Sequence, residues 1–147
     1  MTENTDMNSL NIVIDTNVII SSLISKKGAS YKLLSLIGSG KFEINISVPL
    51  ILEYESISLE HLDLFYLEEQ DITDFIDYIC TIGKKCKIYY LWRPFLRDPK
   101  DDMILELALN SRSDFIVTYN KKDYNGVEIF GVDVLTAKEF LEKIGEI

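Results

Sequence analysis

The chain has 147 residues, 47% of them apolar, with a formal net charge of -9, and that length suits one domain over 1–147, its core at about 10–144 and a flexible stretch at 1–9. An acidic chain is not a generic nucleic-acid binder, yet it can be a nuclease, because carboxylates gathered in a cleft attract divalent cations that screen an incoming strand. Cys80 and Cys86 are too few for a disulfide framework and lack zinc-ligand company, and no apolar run nears the ~18 residues of a membrane span, so a reduced, soluble, cytoplasmic protein with no membrane partner is expected.

Strand and helix patterns alternate along the chain. Ile12 to Asp15 reads as a strand buried on both faces, ending at a carboxylate followed by the small polar residues Thr16 and Asn17. Helical periods run over Asn17 to Ile24 and Ser30 to Ile37, separated by a turn at Lys26-Lys27-Gly28 and stopped by Gly38-Ser39-Gly40. Phe42 to Ser47 predicts a second strand, and Ser47 with Pro49 starts a helix that carries Glu53 one turn in. His61 to Cys80 predicts one or two amphipathic helices, with Thr73 as a candidate cap. Lys87 to Leu91 predicts a short strand before the turn Trp92-Arg93-Pro94.

Asp98 and Pro99 open a further helix whose first turn also holds Asp101 and Asp102, with Ile104, Leu105 and Ala108 facing inward. Asp114 to Thr118 repeats the opening pattern of an apolar strand ending in a small polar residue. Val132 to Leu135 is a further strand, and Thr136 caps a closing helix over Ala137 to Ile144. Strands separated by helices imply a three-layer α/β/α sandwich, Rossmann-like, around a mostly parallel sheet of four to five strands. The C-terminal strand ends then share one edge. Asp15, Glu53, the Asp98 to Asp102 turn and the Thr118 loop should converge there. Carboxylates so gathered repel one another and raise their pKa values unless a cation neutralises them, and hard oxygen donors suit Mg2+ or Mn2+.

These residues resemble the PIN-domain ribonucleases, in particular the branch of toxins from toxin–antitoxin pairs. The resemblance runs from Ile12 to Leu141 and rests on Asp15-Thr16-Asn17, Ser47-Val48-Pro49 leading to Glu53, Asp98-Pro99-Lys100-Asp101-Asp102 leading to Ala108, Asp114 to Thr118 running into Asn120, and Thr136 to Leu141. It implies that Asp15, Glu53 and Asp101 bind one or two divalent ions that activate water against an RNA phosphodiester. Asp101 is preferred to Asp102 because it precedes Ala108 by the family's offset. Asp98 is a cap, a supporting group or a further ligand, and Thr16 and Asn17 hydrogen-bond within the site. One departure concerns Asn120, which stands where many members carry a fourth acid; its carbonyl can still meet a metal or its waters, and Asp123 can compensate if the loop turns inward.

Each acid also has an ordinary reading. Asp15 is a helix cap, Glu53 a solvated residue equivalent to Glu55, Asp98 a cap, Asp101 and Asp102 first-turn acids favoured by the helix dipole, and Asn120 and Asp123 turn residues. Joint placement at one sheet edge favours the metal site. His61, the single histidine, stands apart from the other signals, which argues against a histidine-based ribonuclease. A haloacid-dehalogenase-like phosphatase needs an acid where Asn17 stands, and the glycines lack the spacing of a phosphate loop. The rival from another class is an inactive PIN-like scaffold that binds RNA or a protein. Arg97, Lys121 and Lys122 are the basic residues placed to hold RNA phosphates. Apolar residues at 10–24, 31–37 and 62–67 leave three alternatives open, a homodimer, an antitoxin-binding groove and a well-filled core.

Overall fold

The computed structural model describes residues 10–88 and 95–147. Five strands, β1 (Leu10–Ile14), β2 (Phe42–Ile46), β3 (Lys84–Lys85), β4 (Phe115–Val117) and β5 (Asp133–Leu135), form one sheet in the order β3-β2-β1-β4-β5. Every described pairing is parallel. Six α-helices accompany them: α1 (Thr16–Ile24), α2 (Ala29–Ser35), α3 (Val48–Glu60), α4 (Glu69–Ile82), α5 (Pro99–Asn110) and α6 (Ala137–Lys143). The arrangement is the three-layer α/β/α fold expected from the alternating pattern.

The centre of the sheet explains why it assembles. Ile12, Val13 and Ile14 of β1 are all buried, as a strand covered by helices on both sides requires. Phe140 of α6 packs edge-on against Phe42 of β2 and Phe115 of β4, with ring centroids 5.2 Å and 5.9 Å away. Helix starts are specified by side chains: Ser47 Oγ accepts from Leu50 N at 3.3 Å, Asp98 Oδ1 from Lys100 N at 2.9 Å and Thr136 Oγ1 from Glu139 N at 3.1 Å. Each satisfies an amide that the helix itself leaves unpaired.

Strand order reverses between β1 and β4, so the crossovers leaving these strands diverge and open a crevice above their C-terminal ends. Asp15 follows one strand and Thr118 the other.

Two expected elements differ. A strand follows α4 at Lys84–Lys85, where the register is dictated by β2, Asn45 pairing with Lys84 and Ile46 with Lys85, and Lys87 and Ile88 of the expected Lys87 to Leu91 strand lie past its end. Gly83 makes that register reachable, since a Cβ there would meet Ile46 Cδ1 at 2.9 Å. Thr73 lies inside α4 and does not cap it. The helix begins earlier because Asp71 Oδ2 accepts from Glu68 N at 2.8 Å, placing the cap at Glu68, five residues ahead of Thr73. Residues 1–9, residues 89–91 of the expected strand and the Trp92-Arg93-Pro94 turn lie outside the described residues.

Candidate active site

Asp15 occupies the N-cap position of α1, yet its side chain makes no capping bond. The carboxylate turns instead toward β4, where Oδ2 accepts from Thr118 Oγ1 at 2.9 Å and from the Tyr124 hydroxyl at 2.8 Å. Only 8% of Asp15 is exposed. Thr118 is fully used there: its hydroxyl also accepts from Asn17 Nδ2 at 3.2 Å and from Asn120 N at 3.1 Å. Asn17 Oδ1 in turn accepts from Tyr119 N at 3.2 Å, which ties α1 to the loop leaving β4.

Glu53, half-buried on α3, accepts at Oε2 from Thr16 Oγ1 at 2.7 Å and lies near enough to Asp15 to add to its electrostatic load. Asp101, in the first turn of α5, meets the same Tyr124 hydroxyl through Oδ1 at 3.2 Å. Asp15, at the end of β1, and Asp101, on α5, thus share one donor. Burial, and then the neighbouring Asp15 carboxylate, push the Asp101 carboxyl up to about 6, with Asp98 and Asp123 adding to the effect. Asp15 is raised as well, chiefly by burial and in small part by Glu53, while the bonds from Tyr124 and Thr118 pull the other way. Among the described residues no ion pair offsets either charge.

The remaining expected residues divide around this centre. Asp98 is an exposed helix cap. Asp102 turns away and holds the approach to α5, its Oδ1 accepting from Phe95 N at 3.1 Å and Leu96 N at 2.8 Å. Asn120 and Asp123 are exposed. Arg97, Asp98, Asp101, Lys122, Asp123 and Asn125 line an open cleft of about 670 Å³. Lys121 points elsewhere, paired with Glu139 at 2.9 Å. His61 ends α3 with Nδ1 2.9 Å from the Ile57 carbonyl, outside this group.

One carboxylate cluster from four segments is the expectation at this edge, and the structure brings Asp15 and Asp101 to one hydroxyl with Glu53 beside Asp15. Among the described residues no three Asp, Glu, His or Cys side chains stand together as a cage for a metal. The physical reason is that Tyr124 and Thr16 occupy the carboxylates with hydrogen bonds, and Asn120 and Asp123 sit on the exposed rim. The donor set still fits a hard dication in kind. It is all oxygen and uncompensated, and Mg2+ typically needs only one or two carboxylates with water completing its shell.

The sequence reading passed over Tyr124 and Tyr54. Tyr54 is buried beneath the site and its hydroxyl donates to the Ile14 carbonyl, one residue before Asp15. The sequence signal for Tyr124 is an aromatic residue within the polar stretch Lys121 to Asn125, and Tyr54 has none beyond its place in a helix. Tyr119 was also missed; its hydroxyl lies 2.7 Å from Ser30 Oγ.

A PIN-domain family model matches residues 11–122, the stretch that contains Asp15, Glu53, Asp98, Asp101 and Asp102. The chain belongs to the PIN-domain family. PIN domains are generally nucleases. A chain of VapBC2 from Rickettsia felis, solved bound to a DNA fragment from their promoter, shares the PIN fold with a TM-score of 0.57 at 15% identity, covering 85% of this chain and 97% of that one. No curated protein matches the sequence at a significant level. Among the described residues no helix of this PIN domain is long and apolar enough to cross a membrane, and both cysteines are free thiols.

Proposed function

We propose that this PIN domain is an endoribonuclease that hydrolyses RNA phosphodiesters with Mg2+ or Mn2+, and that it serves as the toxin of a toxin–antitoxin pair in the cytoplasm. The observation that carries the reading is the meeting of Asp15 and Asp101 on the Tyr124 hydroxyl, with Glu53 beside Asp15, at the crevice where strand order reverses. Two buried or half-buried carboxylates, both raised by burial and Asp101 also by Asp15, are costly to keep ionised, and a divalent cation removes that cost.

Asp15, Asp101 and Glu53 are the residues that would hold the ion. When bound, such an ion supplies Lewis-acid polarisation of the phosphoryl group and lowers the pKa of attacking water. Asp15 and Asp101 bear the charge that attracts it, and Thr16 keeps Glu53 oriented toward them. Thr118 and Asn17 fix the edge of β4 against α1, so the carboxylates do not drift as a strand enters. Lys122 and Arg97, on the wall of the cleft, would hold flanking phosphates. The toxin assignment draws on likeness to VapBC2, a toxin–antitoxin complex; an antitoxin is then the expected protein partner. Exposed Ile24, Tyr31, Leu64 and Tyr66 supply apolar surface for it or for a second copy, whereas Phe65 is part of the core.

A second reading, an inactive PIN-like scaffold, has its own support in the uncharged, exposed Asn120 and in the absence of a closed metal cage among the described residues. Incubating a mixed single-stranded RNA pool with purified protein and Mn2+ separates the two. Cleavage abolished by EDTA and by a folded Asp15→Asn variant is the expected result; no cleavage and no uptake of Mn2+ leaves the scaffold.

A further inference from the structure

Tyr124 is 1% exposed, far deeper than a residue in a lysine-rich loop needs to be. It ends the short 3-10 turn Lys121–Tyr124 between β4 and β5, and the turn delivers its ring beneath the cleft. Its hydroxyl donates toward two carboxylates, Asp15 Oδ2 at 2.8 Å and Asp101 Oδ1 at 3.2 Å. Asp15 has a second side-chain donor in Thr118, whereas Tyr124 is the hydrogen-bonding side chain recorded on Asp101 among the described residues. The carboxylate from α5 is therefore registered against the one from β1 through this single oxygen. A phenol has one proton, so the two acids compete for it and are drawn to the same point.

We propose that Tyr124 is a positioning residue whose hydroxyl holds Asp15 and Asp101 at the separation at which both can face one divalent cation. The inference rests on the metal-dependent reading above and deepens it. A hydroxyl is a suitable spacer for this task because it holds both acids without cancelling the charge that attracts the cation. A lysine in its place would satisfy them and exclude the metal.

The test compares wild type with Tyr124→Phe, which keeps the buried ring and removes the oxygen. Mn2+ is titrated into each protein without RNA and followed by calorimetry and thermal shift. The expected result is a folded variant whose half-saturating Mn2+ concentration rises about 10-fold, the usual effect of losing a group that orients a metal ligand. Its RNA cleavage falls at limiting Mn2+ and recovers at saturating Mn2+, with KM for RNA unchanged. Equal Mn2+ affinity in the folded variant, or a loss of cleavage that added Mn2+ does not restore, overturns the positioning role while leaving the metal site in place. A wild-type protein that takes up no Mn2+ removes the metal reading and this inference together. Should Tyr124→Phe fail to fold, Asp101→Glu moves the acid by one methylene at constant charge. Weaker Mn2+ binding supports the fixed separation and unchanged binding refutes it.

Discussion

Tyr54 and Tyr124 are alike in burial, at 2% and 1% exposed, and both lie near Asp15, but their hydroxyls end on different partners. Tyr54 donates to the Ile14 main-chain carbonyl and so secures where β1 stops. Tyr124 donates to Asp15 and Asp101 and so secures where the charges sit. The surroundings raise the pKa of both, through burial first and Asp15 second. The contrast separates two kinds of support under one site. One is given to the backbone and is paid for in stability; the other is given to the acids and should be read out in metal binding.

The largest expected effect comes from removing the Asp15 charge itself. Asp15→Asn keeps an oxygen for the Thr118 and Tyr124 bonds, so it folds; its cleavage should drop by more than the about 100-fold loss typical of groups that merely support a metal ligand. The same variant should melt higher than wild type in EDTA, because a buried uncompensated carboxylate has been neutralised. A lower melting point would show that Asp15 is already stabilised without a cation.

Next in size is a pH effect in metal-free protein. The folded-state pKa of Asp101 is raised from 3.8 to about 6, so the folded protein binds more protons than the unfolded chain in that interval, and stability should fall as pH rises from about 4 through about 6. The contribution is fully present at the acid end and lost near neutrality. Denaturant melts over that range should show the slope in wild type and a flatter profile in Asp101→Asn. Partial exposure of Asp101 keeps the effect modest. Mn2+ uptake should run the other way and weaken toward low pH, since protons compete for the same oxygens.

Tyr54→Phe sharpens the comparison directly. Loss of its bond to the Ile14 carbonyl should cost about 1 kcal/mol in chemical denaturation, with Mn2+ affinity unchanged in the folded fraction. A shift in Mn2+ affinity equal to that of Tyr124→Phe would erase the distinction between the two tyrosines. The smallest effect belongs to the rim. Lys122→Glu should weaken RNA binding and lower the salt slope by about 1, whereas Lys121→Glu, whose lysine is already paired with Glu139, should change RNA affinity less. Fluorescence anisotropy at several salt concentrations distinguishes them.

Much of the frame was legible because it depends on neighbours along the chain. The apolar run at Ile12 to Ile14, the capping residues Ser47, Asp98 and Thr136, and the inward Ile104, Leu105 and Ala108 are local patterns with local causes, and the structure has each in its expected role. Strand β3 at Lys84–Lys85 has no signal in the sequence because two residues of strand have no period to read; the β2 register decides it. Asp101 and Asp102 are adjacent in sequence, yet a helix turns successive side chains by about 100°. One therefore meets Tyr124 and the other the Phe95 and Leu96 amides.

What the sequence by itself determined is the alternation of strands and helices, and with it the parallel sheet and the edge at which Asp15, Glu53 and Asp101 had to arrive. Only the tertiary structure decided how those acids are held: that Asp15 forgoes its helix cap for Thr118 and Tyr124, that Asp101 shares the same hydroxyl, and that Asn120 and Asp123 stay on the rim. Strand and helix periods are set by residues a few positions apart, whereas these bonds join side chains 23 and 109 positions apart, and no pattern along the chain encodes which hydroxyl a buried carboxylate will meet.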